Sequence, residues 1–119
     1  MARIVRNGIY RIDYRNPNDM ATDDALFVVR DGSIIGADRH GGVYSGSQFR
    51  TSGALDGVRV QMTAPPGGEF VTGAIAGPDG AVVDIMSKLD PACNFQTATI
   101  SVEGDPVEIS VAYLGPLPA

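Results

Sequence analysis

No tryptophan occurs in this chain of 119 residues, and cysteine and histidine occur once each. The lone cysteine, Cys93, excludes an internal disulfide and fits a reducing compartment. The lone histidine, His40, leaves an imidazole metal site without a second imidazole nearby, so a solvated loop histidine is the expectation. Basic residues are also scarce. Nine Lys and Arg stand against 14 Asp and Glu, a formal charge of −5. A surface of that sign repels a phosphate backbone, which argues against direct nucleic-acid binding. Arg3, Arg6, Arg11 and Arg15 gather near the N-terminus, but Asp13 and Asp19 interleave with them and no aromatic stacking platform follows. No apolar run reaches the ~18 residues that a transmembrane helix needs. Met1–Arg6 lacks the apolar stretch of a secretory signal. The expectation is a soluble, cytoplasmic protein with no membrane partner.

What is abundant is turn chemistry. The 15 glycines and 8 prolines interrupt the chain too often for long helices and suit short strands joined by tight turns. Its length fits one domain spanning residues 1–119, with a single core. Tyr10, Ile12 and Tyr14 alternate with Arg11 and Asp13, the period-2 pattern of a half-buried strand. The same pleat recurs at Val58, Val60 and Met62, at Ala98, Ile100 and Val102, and at Val107, Ile109, Val111 and Tyr113.

Alternation and turn signals predict strands over 8–15, 25–30, 33–37, 43–50, 57–64, 70–76, 81–87, 95–103 and 107–114. Segment 70–76 follows Pro65-Pro66-Gly67-Gly68 and contains Gly73, so it is demoted to a bridge or an edge. Eight strands remain. Short sequential hairpins imply an all-β, eight-stranded antiparallel up-and-down barrel, whose closure removes sticky sheet edges. Tyr10, Ile12, Val60, Ile100, Val102, Ile109 and Val111 are expected inside. Residues 88–92 form the one helical-turn candidate, kept short by Pro91.

No catalytic constellation emerges. Cys93 would need His40 as its base and lacks an oxyanion-hole sequence, so it reads as a small buried hydrophobe. Ser45, between Tyr44 and Gly46, has no strand–elbow–helix unit around it. Asp38 is expected to accept backbone N–H bonds in its own loop. The acidic segment Asn18–Asp24 lacks the glycine and terminal glutamate of an EF-hand, and reads as a solvated connection or a partner surface. No phosphate cradle follows either glycine pair. No metal and no cofactor are called for.

Gly8-Ile9-Tyr10, Asp31-Gly32, Ile34-Ile35, Gly36-Ala37-Asp38 and Tyr44-Ser45-Gly46 occur in an order that resembles the GrlR-like family of small bacterial proteins. The matching segment covers about the first third of the chain. The resemblance implies a lipocalin-like barrel without enzymatic activity, a homodimer, and a negative regulator of type III secretion that holds a transcriptional activator. The chain departs from the family in two places. The acidic run expected after Tyr-x-Gly is absent: Gln48 to Asp56 holds one acidic and one basic residue. Asp24 and Leu26 also stand where paired glycines are expected.

The expected function is therefore sequestration of a protein partner. Docking is expected on Asp19, Asp23 and Asp24, which would attract a basic activator, and on the loop from Arg50 to Asp56. The rival is a carrier of a small apolar ligand, its cavity lined by Tyr10, Tyr14, Met62 and Tyr113. Outward apolar residues such as Val71, Ile75 and Leu114 are expected to be covered by a second copy.

Overall fold

The computed structural model describes residues 5–15, 22–38, 41–51, 53–68, 77–102 and 105–118. They form eight strands: β1 (Gly8–Arg15), β2 (Thr22–Arg30), β3 (Ser33–Asp38), β4 (Val43–Phe49), β5 (Asp56–Ala64), β6 (Ala81–Leu89), β7 (Phe95–Val102) and β8 (Asp105–Gly115). Each pairs antiparallel with the next, and β8 returns to β1 to close the barrel. The expected eight-stranded up-and-down architecture is what the chain adopts. Segment 70–76 lies outside the described residues.

The pleat dictates the two surfaces. All seven residues expected inside are buried, joined by Tyr14, Phe27, Tyr44, Met62 and the other members of one core cluster. The alternate positions carry Arg11, Asp13, Arg59, Asp84, Lys88 and Glu108 outward. Among the described residues no helix is long and apolar enough to cross a membrane.

Two backbone sites show why particular residues stand where they do. Asp31 (φ 51°) and Gly32 (φ 88°) both adopt positive φ, as a two-residue hairpin turn matched to strand twist requires. At Gly46 of β4, a Cβ would run into the Arg59 carbonyl oxygen and come within 2.7 Å of Val60 Cα on β5. The two strands pass too close there for any side chain.

Several boundaries differ from the sequence reading. β2 begins at Thr22, so Asp23 and Asp24 belong to a strand opposite Tyr14 and Asp13 instead of to a loop. Pairing with β1 continues the ladder past the point where apolar alternation fades. Likewise β6 runs to Leu89 because Lys88 and Leu89 pair with Gly57 and Asp56. The expected helical turn at 88–92 gives way to a strand end and a tight turn, closed by Cys93 N–H donating to the Asp90 carbonyl at 3.3 Å.

The ring is not uniformly tight. Every other neighbouring pair makes at least five register pairs, whereas β6 and β7 make two among the described residues, Ile85 with Val102 and Met86 with Ser101.

Candidate binding surfaces

The interior holds one apolar cavity of about 80 Å³ to which all eight strands contribute. Its lining includes Tyr10, Tyr14, Phe27, Val60, Ile85 and Ile109. An engineered apolar cavity of ~150 Å³ takes up benzene, and ordinary ligand pockets span ~300–1,000 Å³. This barrel is filled by its own side chains, with a small residual space. Two of the four residues expected to line a cavity, Tyr10 and Tyr14, do so. The other two do not. Met62 is fully buried in the packed core away from the cavity. Tyr113 is only partly buried, its ring set edge-on to Tyr10 at 5.3 Å between centroids and covered by the Arg6 guanidinium at 3.9 Å.

Arg6 belongs to a segment that closes one mouth of the barrel. Val5, buried against the core, donates its N–H to Gln48 Oε1 at 2.7 Å and accepts from Gln48 Nε2 at 3.4 Å. Arg6 Nη2 donates to Asn94 Oδ1, and Asn7 exchanges hydrogen bonds with Asp31 through its side-chain amide. Near the other mouth, Tyr44 donates to Asp38 Oδ2 at 2.8 Å while Asp38 Oδ1 accepts from Gly42 N–H at 2.8 Å. The structural role expected of Asp38 is the one it performs. The Tyr14 phenol lies beside that of Tyr44 in the core. Burial pushes both phenols well above the usual tyrosine range.

The outer wall has two distinct regions. Over β2, β1, β8 and β7 the register aligns Asp24, Asp13, Ser110 and Thr97 across one row, with Glu108 and Thr99 in the next. Asp13, Glu108, Thr97, Thr99 and Ser110 line a groove of about 440 Å³. Arg11 lies between the first two carboxylates, donating to Asp13 Oδ1 at 3.1 Å and standing 3.4 Å from Asp24 Oδ2. Around the barrel, over β2 to β4, Leu26 faces Ala37 and Ala37 faces Val43, while Val28 faces Ile35. Leu26, Ile35 and Val43 are 55%, 59% and 56% exposed, so this wall presents a contiguous apolar patch.

The residues expected to meet a partner separate. Asp19 lies outside the described residues, and Asp23 takes its place in the β2 backbone opposite Tyr14. Asp24 is half-buried beside Asp13. Arg50 is exposed just after β4. Asp56 is not a loop residue: it opens β5, pairs with Leu89 and is only 3% exposed, which withdraws it from any docking surface. Asp13 and Glu108 were missed because nothing in the sequence aligns residues 13, 24 and 108. Strand register does.

The remaining chemical candidates are placed as follows. Arg39 and His40 lie outside the described residues. Ser45 sits in the middle of β4 between Ile35 and Gln61. Cys93 is exposed rather than buried, because the 90–94 turn carries it off the strand. Its thiol donates to Asp90 Oδ2 at 3.4 Å, and that bond raises its pKa and makes it a poor nucleophile at neutral pH. Leu114 is exposed as expected, while Val71 and Ile75 lie outside the described residues. Among the described residues no three His, Cys, Asp or Glu side chains gather as a metal ion requires. No protein-family model and no curated protein matches the chain.

Proposed function

We propose that this barrel is a non-enzymatic binding protein that sequesters a protein partner on the outer wall of β2, β1, β8 and β7. The observation that carries the reading is the placing of Asp13 and Glu108 in one hydroxyl-lined groove, with Asp24 paired to Asp13 at its side. Carboxylates there accept hydrogen bonds from arginine or lysine side chains, and the −5 formal charge steers such a segment inward. A basic partner of this kind suits a transcriptional activator, the role implied by the resemblance to the GrlR-like family. Regulation then passes through the activator in the cytoplasm and not through DNA. The apolar patch over β2 to β4 serves a different contact, the pairing of two copies.

The test is capture of a basic helix-turn-helix activator by the purified protein, compared with the double variant Asp13→Asn, Glu108→Gln. The variant is expected to associate at least several-fold more slowly at low salt, with the difference shrinking as salt rises. Both side chains are on the outer wall, so thermal stability should change little. Equal capture by both proteins, or retardation of duplex DNA by the barrel alone, contradicts the reading.

A further inference from the structure

The weak seam between β6 and β7 adjoins the interior cavity. Continued in register past Met86 and Ser101, Ser87 would face Ile100, Lys88 would face Thr99 and Leu89 would face Ala98; these pairs are not made. Gln96 spans the opening instead. Its Oε1 accepts from Asp90 N–H at 2.8 Å, and its Nε2 donates to the Asp90 carbonyl at 2.9 Å. Exposure follows the same boundary. The inward positions Gln96 and Ala98 are half-buried, whereas Ile100 and Val102 farther along β7 are buried.

Directly behind the seam, Ser87, Leu89, Ile85 and Ile100 line the cavity of about 80 Å³. Ser87 Oγ is buried and has no hydrogen-bond partner among the described residues. Two other hydroxyls nearby are committed: Tyr10 donates to the Arg6 carbonyl at 2.6 Å and Tyr44 to Asp38 at 2.8 Å. A buried hydroxyl in an apolar wall has an unmet bond to offer, which a ligand with a matching polar atom takes up, displacing any water held there.

We propose that the β6–β7 seam admits a small neutral molecule, with an apolar body and one hydroxyl or carbonyl head, whose head bonds Ser87. Size and charge define the class. A ~150 Å³ cavity holds benzene, so one of about 80 Å³ holds roughly three non-hydrogen atoms, the polar head included. Long-chain fatty acids and other large lipocalin-type cargo do not fit. Among the described residues no Lys or Arg lines the cavity, so a carboxylate or phosphate would be buried there without a counter-charge, at a high desolvation cost. The site is separate from the outer wall, and neither reading depends on the other.

Methyl-resolved NMR of the full chain, titrated with ethanol and separately with xenon, tests the site. Both probes are expected to give saturable shifts confined to methyls that line the cavity, Ile85, Leu89 and Ile100 foremost. Ser87→Ala should weaken alcohol binding by roughly three- to tenfold, the effect of one hydrogen bond, and leave xenon binding intact. Gln96→Ala should speed probe exchange with little change in affinity. Linear, unsaturating shifts in the folded wild-type protein overturn the site. Alcohol binding unchanged by Ser87→Ala overturns the assignment of Ser87, and unchanged exchange in Gln96→Ala overturns the seam as the entrance.

Discussion

Tyr44 on β4 and Asp38 at the end of β3 are joined by a 2.8 Å hydrogen bond that ties the barrel core to the β3–β4 turn. The same carboxylate accepts from Gly42 N–H. Tyr44→Phe removes the donor to Asp38 without changing the packed ring. The variant should lose roughly 1–3 kcal/mol of stability, read from urea denaturation at neutral pH. A loss under about 0.5 kcal/mol would mean that water replaces the phenol without cost.

Alkaline pH should unfold the barrel by way of its buried phenols. Burial raises the folded-state pKa of Tyr14 and Tyr44 above the ordinary phenol value of about 10, which applies to the unfolded chain. The folded state therefore keeps protons that the unfolded state releases. Stability from this source is complete below pH ~10 and falls as pH rises above it. Phenolate absorbance from these two residues should appear together with loss of the far-ultraviolet β signal. Ionisation of all four tyrosines in an intact barrel would refute this coupling.

Gly46→Ala should destabilise more than Gly36→Ala. At Gly46 the obstacle is backbone, the Arg59 carbonyl and Val60 Cα, which moves only if β4 and β5 part. At Gly36 the nearest atom is Cδ2 of the Phe27 ring at 2.6 Å, with the Leu26 carbonyl at 2.7 Å, so part of the clash lies with a side chain. Overpacking typically costs about 1–3 kcal/mol, and Gly46→Ala belongs at or above the top of that range. Midpoints of thermal unfolding would rank the pair, and the reverse order would disprove the distinction.

The apolar patch over β2 to β4 predicts self-association. Sedimentation should show a dimer at micromolar concentration for the wild-type chain and a monomer for Ile35→Asp, since Ile35 is 59% exposed at the patch. Its outward position means that the fold should survive the charge. A wild-type monomer at high micromolar concentration argues that the patch meets some other molecule.

Much of this architecture is legible in sequence because a strand repeats every two residues, and a one-residue slip would turn a whole apolar set outward. Alternation alone therefore placed Tyr10, Val60, Ile100 and Ile109 inside, and Asp31-Gly32 announced its hairpin. Strand ends were less legible. Asp23, Asp24, Asp56 and Lys88 are polar residues held in strands by pairing with a neighbour, an energy that no local pattern displays. The candidate surfaces depend on register still more. Asp13, Asp24 and Glu108 lie on three strands: β1–β2 pairing sets Asp24 opposite Asp13, and ring closure between β1 and β8 brings Glu108 into the adjoining row. Met62 and Tyr113 share the inward parity of cavity residues, yet packing excludes both from the space that remains. Parity is a property of one strand; alignment, voids and the open β6–β7 seam are properties of eight strands closing on one another, which only the tertiary structure decides.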